Sequence, residues 1–541
     1  METNGQPDFL NAAAILVDDH LAQGRGVKPA ILCGDETVTY QQLHQAVNRL
    51  GNALRELGVR REERVALLLP DSPQWVYVFF GAMKIGAVAV PMSTMLTSKD
   101  YEYLLEDSRA RVLVVHAALA EMIDSIRGRL SHLAHVVVVG GEREGCLGFD
   151  RVMSNASPEL DAVPTSKDDA AFWLYSSGTT GFPKGTIHLH HDMIVAADAY
   201  ARETIGLREG DVSFSVAKLF FAYGLGNGLY FPLRIGGTTV LLRERPTPEA
   251  VFRTIDRYRP TVFYGVPTSY VALLHEAERS GRTSLGAVRM CLSAGEALPS
   301  CTFLRWHERF GVEILDGIGS TEILHIFISN RPGKARPGST GQLVPGFEAR
   351  IVDDEGRDLP VGEVGNLLIK GESIAAGYWN KHEATKKTFC GHWINTYDNF
   401  MVDHDGYFWY AGRANDMMKV GGQAVWPTEV EAVLLKHPAV LESGVTGAVT
   451  DDRLLKPVAY VVLRPGFEPS SELARELQQF VQKNAAPHKY PRAVVFVDHL
   501  PKTPTGKIKN FELRQRAAHD GLLRKPTSQP RPDHDEKGAP A

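Results

Sequence analysis

The chain has little cysteine, no excess of positive charge and no long apolar run, and each shortage removes a class of function. Its five cysteines, Cys33, Cys146, Cys291, Cys301 and Cys390, are odd in number, scattered, and form no Cys-x-x-Cys pair. They suit neither a disulfide framework nor a thiolate zinc site, and they are expected in a reducing compartment. Lys and Arg number 59 against 64 Asp and Glu, a formal charge of -5, which offers no basic field to a nucleic-acid backbone or an anionic membrane. No stretch approaches the roughly 18 uninterrupted apolar residues of a membrane span, and the opening METNGQPDFL lacks the basic n-region of a secretory leader. A cytoplasmic protein acting on small molecules, with no nucleic-acid and no membrane partner, is the expectation.

What is present is a rhythm of short β-branched runs and amphipathic segments. VALLLP (65–70), AVAVP (87–91), VLVV (112–115) and VVVV (136–139) alternate with helical stretches such as QWVYVFFGAMK and a segment opened by Thr97 and Ser98. The same alternation returns in TVFYG (261–265), VRMCLSAG (288–295) and VEIL (312–315). Continuous apolar strands separated by helices imply parallel sheets buried on both faces, hence a doubly wound α/β body. After about residue 405 the texture changes to a shorter mixture of helices and antiparallel-looking strands, in which SELARELQQFV places Leu473, Leu477, Phe480 and Val481 on one face. The expected organisation is α/β, with a large N-terminal domain of doubly wound sheets over 1–412 and a turn at 413–416. A small α+β domain follows over 417–520, and then a polar, proline-rich tail over 521–541 whose composition is that of disorder.

One stretch carries chemistry on its face. YSSGTTGFPKG (175–185) combines backbone amides that can approach an anion, hydroxyl donors and the cation of Lys184, which is a phosphate-gripping composition. It differs from the Walker pattern because Gly185 follows the lysine, where a magnesium-binding Ser or Thr would stand. With SAGEALP (293–299), DGIGSTE (316–322), YDNF (397–400), AGRANDMMKVGG (411–422) and PKTPTGKI (501–508) following in order, it resembles the signature loop of the adenylate-forming superfamily. That group comprises acyl- and aryl-CoA ligases, luciferases and the adenylation domains of peptide synthetases.

The resemblance implies a reaction. A carboxylate is activated on the α-phosphate of ATP with loss of pyrophosphate, and a thiol then attacks the acyl-adenylate. It also implies roles. Ser177, Thr179, Thr180 and Lys184 would hold the departing phosphates. Glu322 would bind magnesium, with Thr321 on a phosphate oxygen, and Lys507 would stabilise charge between carboxylate and α-phosphate. Glu296, Ala297, Asp316 and Ile318 would line the adenine side of the ATP site, while Asp398 and Arg413 would meet the ribose. Asn415 would be the hinge on which the mobile small domain turns between half-reactions, and Gly421 and Gly422 would border the pantetheine tunnel. Two positions depart from the common pattern: Ile318 replaces an aromatic residue, and Tyr397 replaces a glycine ahead of the ribose aspartate. Relatives are often dimers, so the resemblance suggests a homodimer.

The acid is read elsewhere. AKLFFAYGLGNGLYFPL (217–233) holds no carboxylate near Phe221 to meet a substrate ammonium, and its aromatic and small residues suit a flat ring in an apolar slot. This segment and ILHIF (323–327) resemble benzoate-CoA and hydroxybenzoate-CoA ligases, in which the residues matching Ala222, Tyr223, His325 and Ile326 line the ring site. The expected reaction is benzoate or a hydroxybenzoate with ATP and CoA, giving the aroyl thioester, AMP and diphosphate in aromatic degradation. Loading another acid onto CoA or a carrier-protein pantetheine is the alternative. In HLHHD, with His188, His190 and His191, a strand would place His188 and His190 on one face as metal ligands might be, but no fourth ligand is evident.

Overall fold

The β-branched runs form two large sheets in a computed structural model of the chain, which describes residues 9–176, 182–413, 416–420, 423–449, 455–486, 488–502 and 508–519. Ser177, Thr179, Thr180, Asn415, Gly421, Gly422, Lys507 and the tail 521–541 lie outside the described residues. The chain divides into a large unit that ends its main run at Ala411 and a small unit that begins at Gly412.

In the large unit the first sheet is built on parallel strands Ala170–Ser176, Val88–Pro91, Arg64–Leu68, Val112–His116 and His135–Val139. Antiparallel Lys184–Leu189 and Gly377–Tyr378 extend one edge. The second sheet sets Ile314–Gly319, Met290–Ser293, Val262–Gly265, Val212–Ser215, Thr238–Val240 and Pro29–Cys33 parallel. Helices cover these strands on both sides, which is why the strands are apolar throughout rather than alternating.

Local signals start the helices. Ser72 caps the helix Pro73–Lys84 by accepting the Trp75 N–H, with Pro73 supplying the preset φ of a first turn. Thr97 and Asp100 form a reciprocal capping box at the head of Ser98–Ser108. A third, antiparallel sheet of Glu348–Val352, Gly365–Lys370, Trp393–Val402 and neighbouring strands was not anticipated, because its strands carry mixed polar and apolar residues.

In the small unit Val440–Val449 and Leu455–Leu463 run antiparallel, but Ala493–Phe496 lies parallel to the second of these, against the antiparallel expectation. The helix Ser471–Asn484 between them is the crossover that a parallel connection requires. It buries Leu473, Leu477 and Val481, with Phe480 partly covered beside them.

Candidate active site

The loop suspected of gripping phosphate joins the hairpin of Ala170–Ser176 and Lys184–Leu189, whose last paired residues are Ser176 and Lys184. Its flanks are tied down strongly. Tyr175 Oη donates to Asp107 Oδ2 (2.8 Å), Trp379 Nε1 to the Asp107 carbonyl (2.9 Å), and Lys381 Nζ to Asp107 Oδ1 (3.2 Å). Tyr103 Oη donates to the Pro183 carbonyl (3.0 Å) and stacks on Phe182. Asp107 was invisible in the sequence because its partners lie 68 or more residues away.

Beside the root of this loop stands the short turn Thr321–Ile323. The Glu322 carboxylate takes two hydroxyl donors on the same oxygen: Tyr378 Oη at 2.8 Å and Ser176 Oγ at 3.3 Å, both to Oε1. Among the described residues nothing bonds Oε2, which leaves a hard oxygen ligand for a divalent cation and fits magnesium. The turn itself is held from three sides. His188 Nε2 donates to the Thr321 carbonyl (2.8 Å), Ala375 N–H to the Glu322 carbonyl (2.9 Å), and Ser373 Oγ to the Ile323 carbonyl (3.0 Å). Leu324, next in the chain, is a buried non-glycine residue at φ 75°. Such backbone persists only where the surroundings enforce it.

Register brings the motifs SAGEALP and DGIGSTE together. Ser293 pairs with Asp316 across the parallel strands, and the Leu298 N–H beyond Glu296 and Ala297 donates to Asp316 Oδ2 (3.3 Å). Burial pushes the Asp316 carboxyl up to about 8, against the lowering by the Leu298 N–H. Ile318 is half-buried against the main core. Asp398 is buried in the strand Trp393–Val402, and Arg413, exposed, ends Phe408–Arg413.

Tyr397, the residue in the glycine position, has φ 58°. The left-handed backbone is therefore kept without the glycine, and the tyrosine hydroxyl is engaged with the Lys387 carbonyl (3.1 Å). A side chain at such φ costs roughly 1 kcal/mol. Tyr397→Gly is thus expected to leave stability within about 1 kcal/mol and the KM for ATP within about threefold, checked by urea melts and initial rates.

The acyl segment forms a helix that broadens into a π-turn, Ala222–Leu225 then Gly226–Tyr230 then Phe231–Arg234, the kind of widening that re-aims side chains at functional sites. His325 lies stacked on Tyr223 (5.6 Å between ring centroids) and edge-on to Phe231 (4.4 Å), with its Nε2–H on the Tyr223 carbonyl (3.2 Å). Ala222 and Tyr223 keep partial exposure, whereas His325 and Ile326 are buried. A β-carbon on Gly226 would stand 2.3 Å from His325 Cδ2, so glycine is what admits the imidazole.

Because Nε2 bears the proton, Nδ1 is an acceptor, and it has no protein partner among the described residues. Burial lowers the His325 pKa from 6.5 to about 3. Below pH 6.5 the unfolded chain takes up a proton that the folded site refuses. The stability is therefore complete above 6.5 and falls as pH drops toward 3, by up to about 1.4 kcal/mol per pH unit. His325→Asn should flatten the acid slope of the unfolding free energy by one proton; identical slopes in urea melts from pH 6.5 to 4 would refute this assignment.

The three histidines of HLHHD separate. His188 ends up inside the strand Lys184–Leu189, with Nδ1 on Asp192 Oδ2 (2.8 Å), whereas His190 opens a helix and accepts the Ala12 N–H. His191 faces the carbonyls of Lys167 and Glu372. They do not share a face, and no cluster of metal-ligating side chains occurs among the described residues. Likewise, no helix among the described residues is long and apolar enough to cross a membrane.

Residues 18–379 match the AMP-binding enzyme family and residues 429–507 the AMP-binding enzyme C-terminal domain. The chain is 48% identical to a benzoate–CoA ligase of Thauera aromatica, over 94% of this chain and 96% of that one. It is 42% identical to a 4-hydroxybenzoate–CoA/benzoate–CoA ligase of Rhodopseudomonas palustris, over 93% and 94%. Among solved structures it resembles the anthranilate CoA ligase AuaEII in complex with anthranoyl-AMP, at TM-score 0.92 and 44% identity over 97% of this chain and all of that one. A benzoate CoA ligase from Burkholderia xenovorans LB400 is similar at TM-score 0.87 and 45% identity, over 93% and 99%.

Proposed function

Since the chain belongs to the AMP-binding enzyme family, we infer that it is an AMP-forming ligase joining an aryl carboxylate to coenzyme A, with benzoate or a hydroxybenzoate as the acid. The observation that carries the choice of acid is the slot of Ala222, Tyr223, His325 and Ile326. It is aromatic and apolar, it is backed by Phe231, and burial disfavours the charged form of both its ionisable members, Tyr223 and His325. A hydroxyl or amino substituent on the ring is proposed to meet His325 Nδ1, a buried acceptor with no protein partner among the described residues.

The chemistry runs in two displacements. A carboxylate oxygen of the aryl acid attacks the α-phosphorus of ATP, forming the acyl–O–P bond as the bond to pyrophosphate breaks. The CoA sulfur then attacks the acyl carbon, its proton is lost, and AMP leaves. Magnesium, when bound at Glu322, supplies neutralisation of phosphate charge. Ser177, Thr179, Thr180 and Lys184 would hold the departing pyrophosphate, Thr321 a phosphate oxygen, and Asp398 and Arg413 the ribose. Lys507 would meet the charge passing between the reacting oxygens, and Gly421 and Gly422 would leave room for pantetheine beyond the hinge at Asn415. The proposed setting is the cytoplasm, and the proposed assembly a homodimer.

Thioester formation with free CoA, measured for benzoate, its hydroxy and amino derivatives, cyclohexane carboxylate and a long-chain fatty acid, tests the reading. An aromatic acid is expected to exceed the fatty acid in kcat/KM by at least about 10²-fold, the scale of a mismatched apolar pocket. A preference for the fatty acid would remove the ring assignment. Turnover only with a pantetheinylated carrier protein would favour the other acceptor.

A further inference from the structure

Tyr378 is engaged on two sides at the root of the phosphate loop. Its backbone pairs with Thr186 in the strand that begins at Lys184. Its hydroxyl donates to Glu322 Oε1 at 2.8 Å, and Lys184 Nζ stands 4.4 Å from the centre of its ring. The ring is fixed by an edge contact with Phe389, and the Tyr378 N–H bonds Thr385 Oγ1 (3.1 Å), so the side chain is placed by its own strand and by the helix His382–Thr388. One residue thus touches both the Glu322 carboxylate and the Lys184 ammonium.

We propose that Tyr378 is a positioning residue of the adenylation step: its hydroxyl pins one oxygen of Glu322 so that the other points to the divalent cation, and its ring is the platform that carries Lys184. The proposal rests on the reading of Glu322 as the cation ligand. A carboxylate held at a single oxygen by a neutral donor keeps its full charge for the metal, whereas a cationic partner would cancel it. The face of the ring meanwhile attracts the Lys184 ammonium without neutralising it.

Tyr378→Phe removes the hydroxyl and keeps the platform, while Tyr378→Leu removes both. The test is Mn2+ titration of the full-length enzyme with α,β-methylene-ATP present, read by electron paramagnetic resonance and paired with steady-state rates. Tyr378→Phe should bind Mn2+ about tenfold more weakly, the worth of a hydrogen bond to a charged group, with the KM for ATP nearly unchanged. Tyr378→Leu should in addition raise the KM for ATP about three- to tenfold, the range of a partly desolvated cation–π contact. The KM for the aryl acid should move in neither.

Wild-type Mn2+ affinity in Tyr378→Phe overturns the proposal, and the phenylalanine is small enough a change to keep the fold if the leucine does not. Glu322→Gln separates the two readings. Loss of Mn2+ binding there with none in Tyr378→Phe sinks the tyrosine alone, and unchanged binding in Glu322→Gln sinks the carboxylate reading together with it.

Discussion

Lys507→Ala is expected to slow formation of the aroyl-adenylate by about 10²- to 10³-fold, the loss seen when one charge-stabilising donor is taken from a preorganised site. The reason is the charge balance of the first displacement. A carboxylate approaches a polyanion, and negative charge moves through the oxygens around the α-phosphorus while pyrophosphate departs. A cation at that place lowers the barrier more than it tightens either ground state, so kcat should fall with little change in the KM for ATP or acid. The second displacement takes place at carbon: the CoA sulfur attacks the acyl group of the preformed mixed anhydride, and charge builds on the carbonyl oxygen and the departing AMP rather than around a phosphorus that is losing pyrophosphate. Thiolysis of synthetic benzoyl-adenylate by CoA should therefore stay within about tenfold of wild type, since an interaction made only in the first transition state is not missed in the second. Pyrophosphate exchange measures the first step, and stopped-flow release of AMP the second. Undiminished exchange in Lys507→Ala would end the assignment.

Gly226→Ala should be nearly as damaging, and to a different substrate. The new methyl would stand 2.3 Å from His325 Cδ2, 2.6 Å from Nε2 and 2.9 Å from Tyr230 Oη. The imidazole cannot swing away, because Nε2 is held by the Tyr223 carbonyl and the ring is packed by Tyr223, Phe231 and Tyr200. Overpacking of this kind costs about 1–3 kcal/mol. Placed in the wall of the slot, that cost should appear as a drop of about 10- to 100-fold in kcat/KM for the aryl acid, with the KM for ATP unmoved and the melting temperature lowered. Adding His325→Ala to Gly226→Ala removes the two shortest of these approaches and should recover part of the lost stability, a coupling that a double-mutant cycle reads directly. Additive losses would mean that the glycine serves some other neighbour.

Much of the fold was legible. The strands 64–68, 112–116 and 135–139 and their helices were read correctly because strands buried on both faces are apolar at every position. The sheet containing Asp398 was missed, since its strands alternate and its pairings, such as Gly365 with Phe400, join segments far apart in the chain. The parallel strand Ala493–Phe496 was read with the wrong sense because direction depends on where the preceding helix returns the chain, not on the residues of the strand. His188 and His190 were placed on one face by strand periodicity, which fails where the strand ends at Leu189.

The motifs by themselves determined the reaction. Loops that grip phosphates and carboxylates that face cations need particular residue types at fixed spacings, and YSSGTTGFPKG, DGIGSTE and PKTPTGKI carry them in the order of one family. Only the tertiary structure decided what orients those groups. Asp107 against Tyr175, Trp379 and Lys381, His188 and Ala375 around the Thr321 turn, Tyr378 between Lys184 and Glu322, and Gly226 against His325 are all contacts between residues distant in sequence. They are hydrogen bonds and close approaches, whose existence depends on tenths of an ångström, and no local pattern of residues specifies a distance between segments that meet only when the sheets are complete.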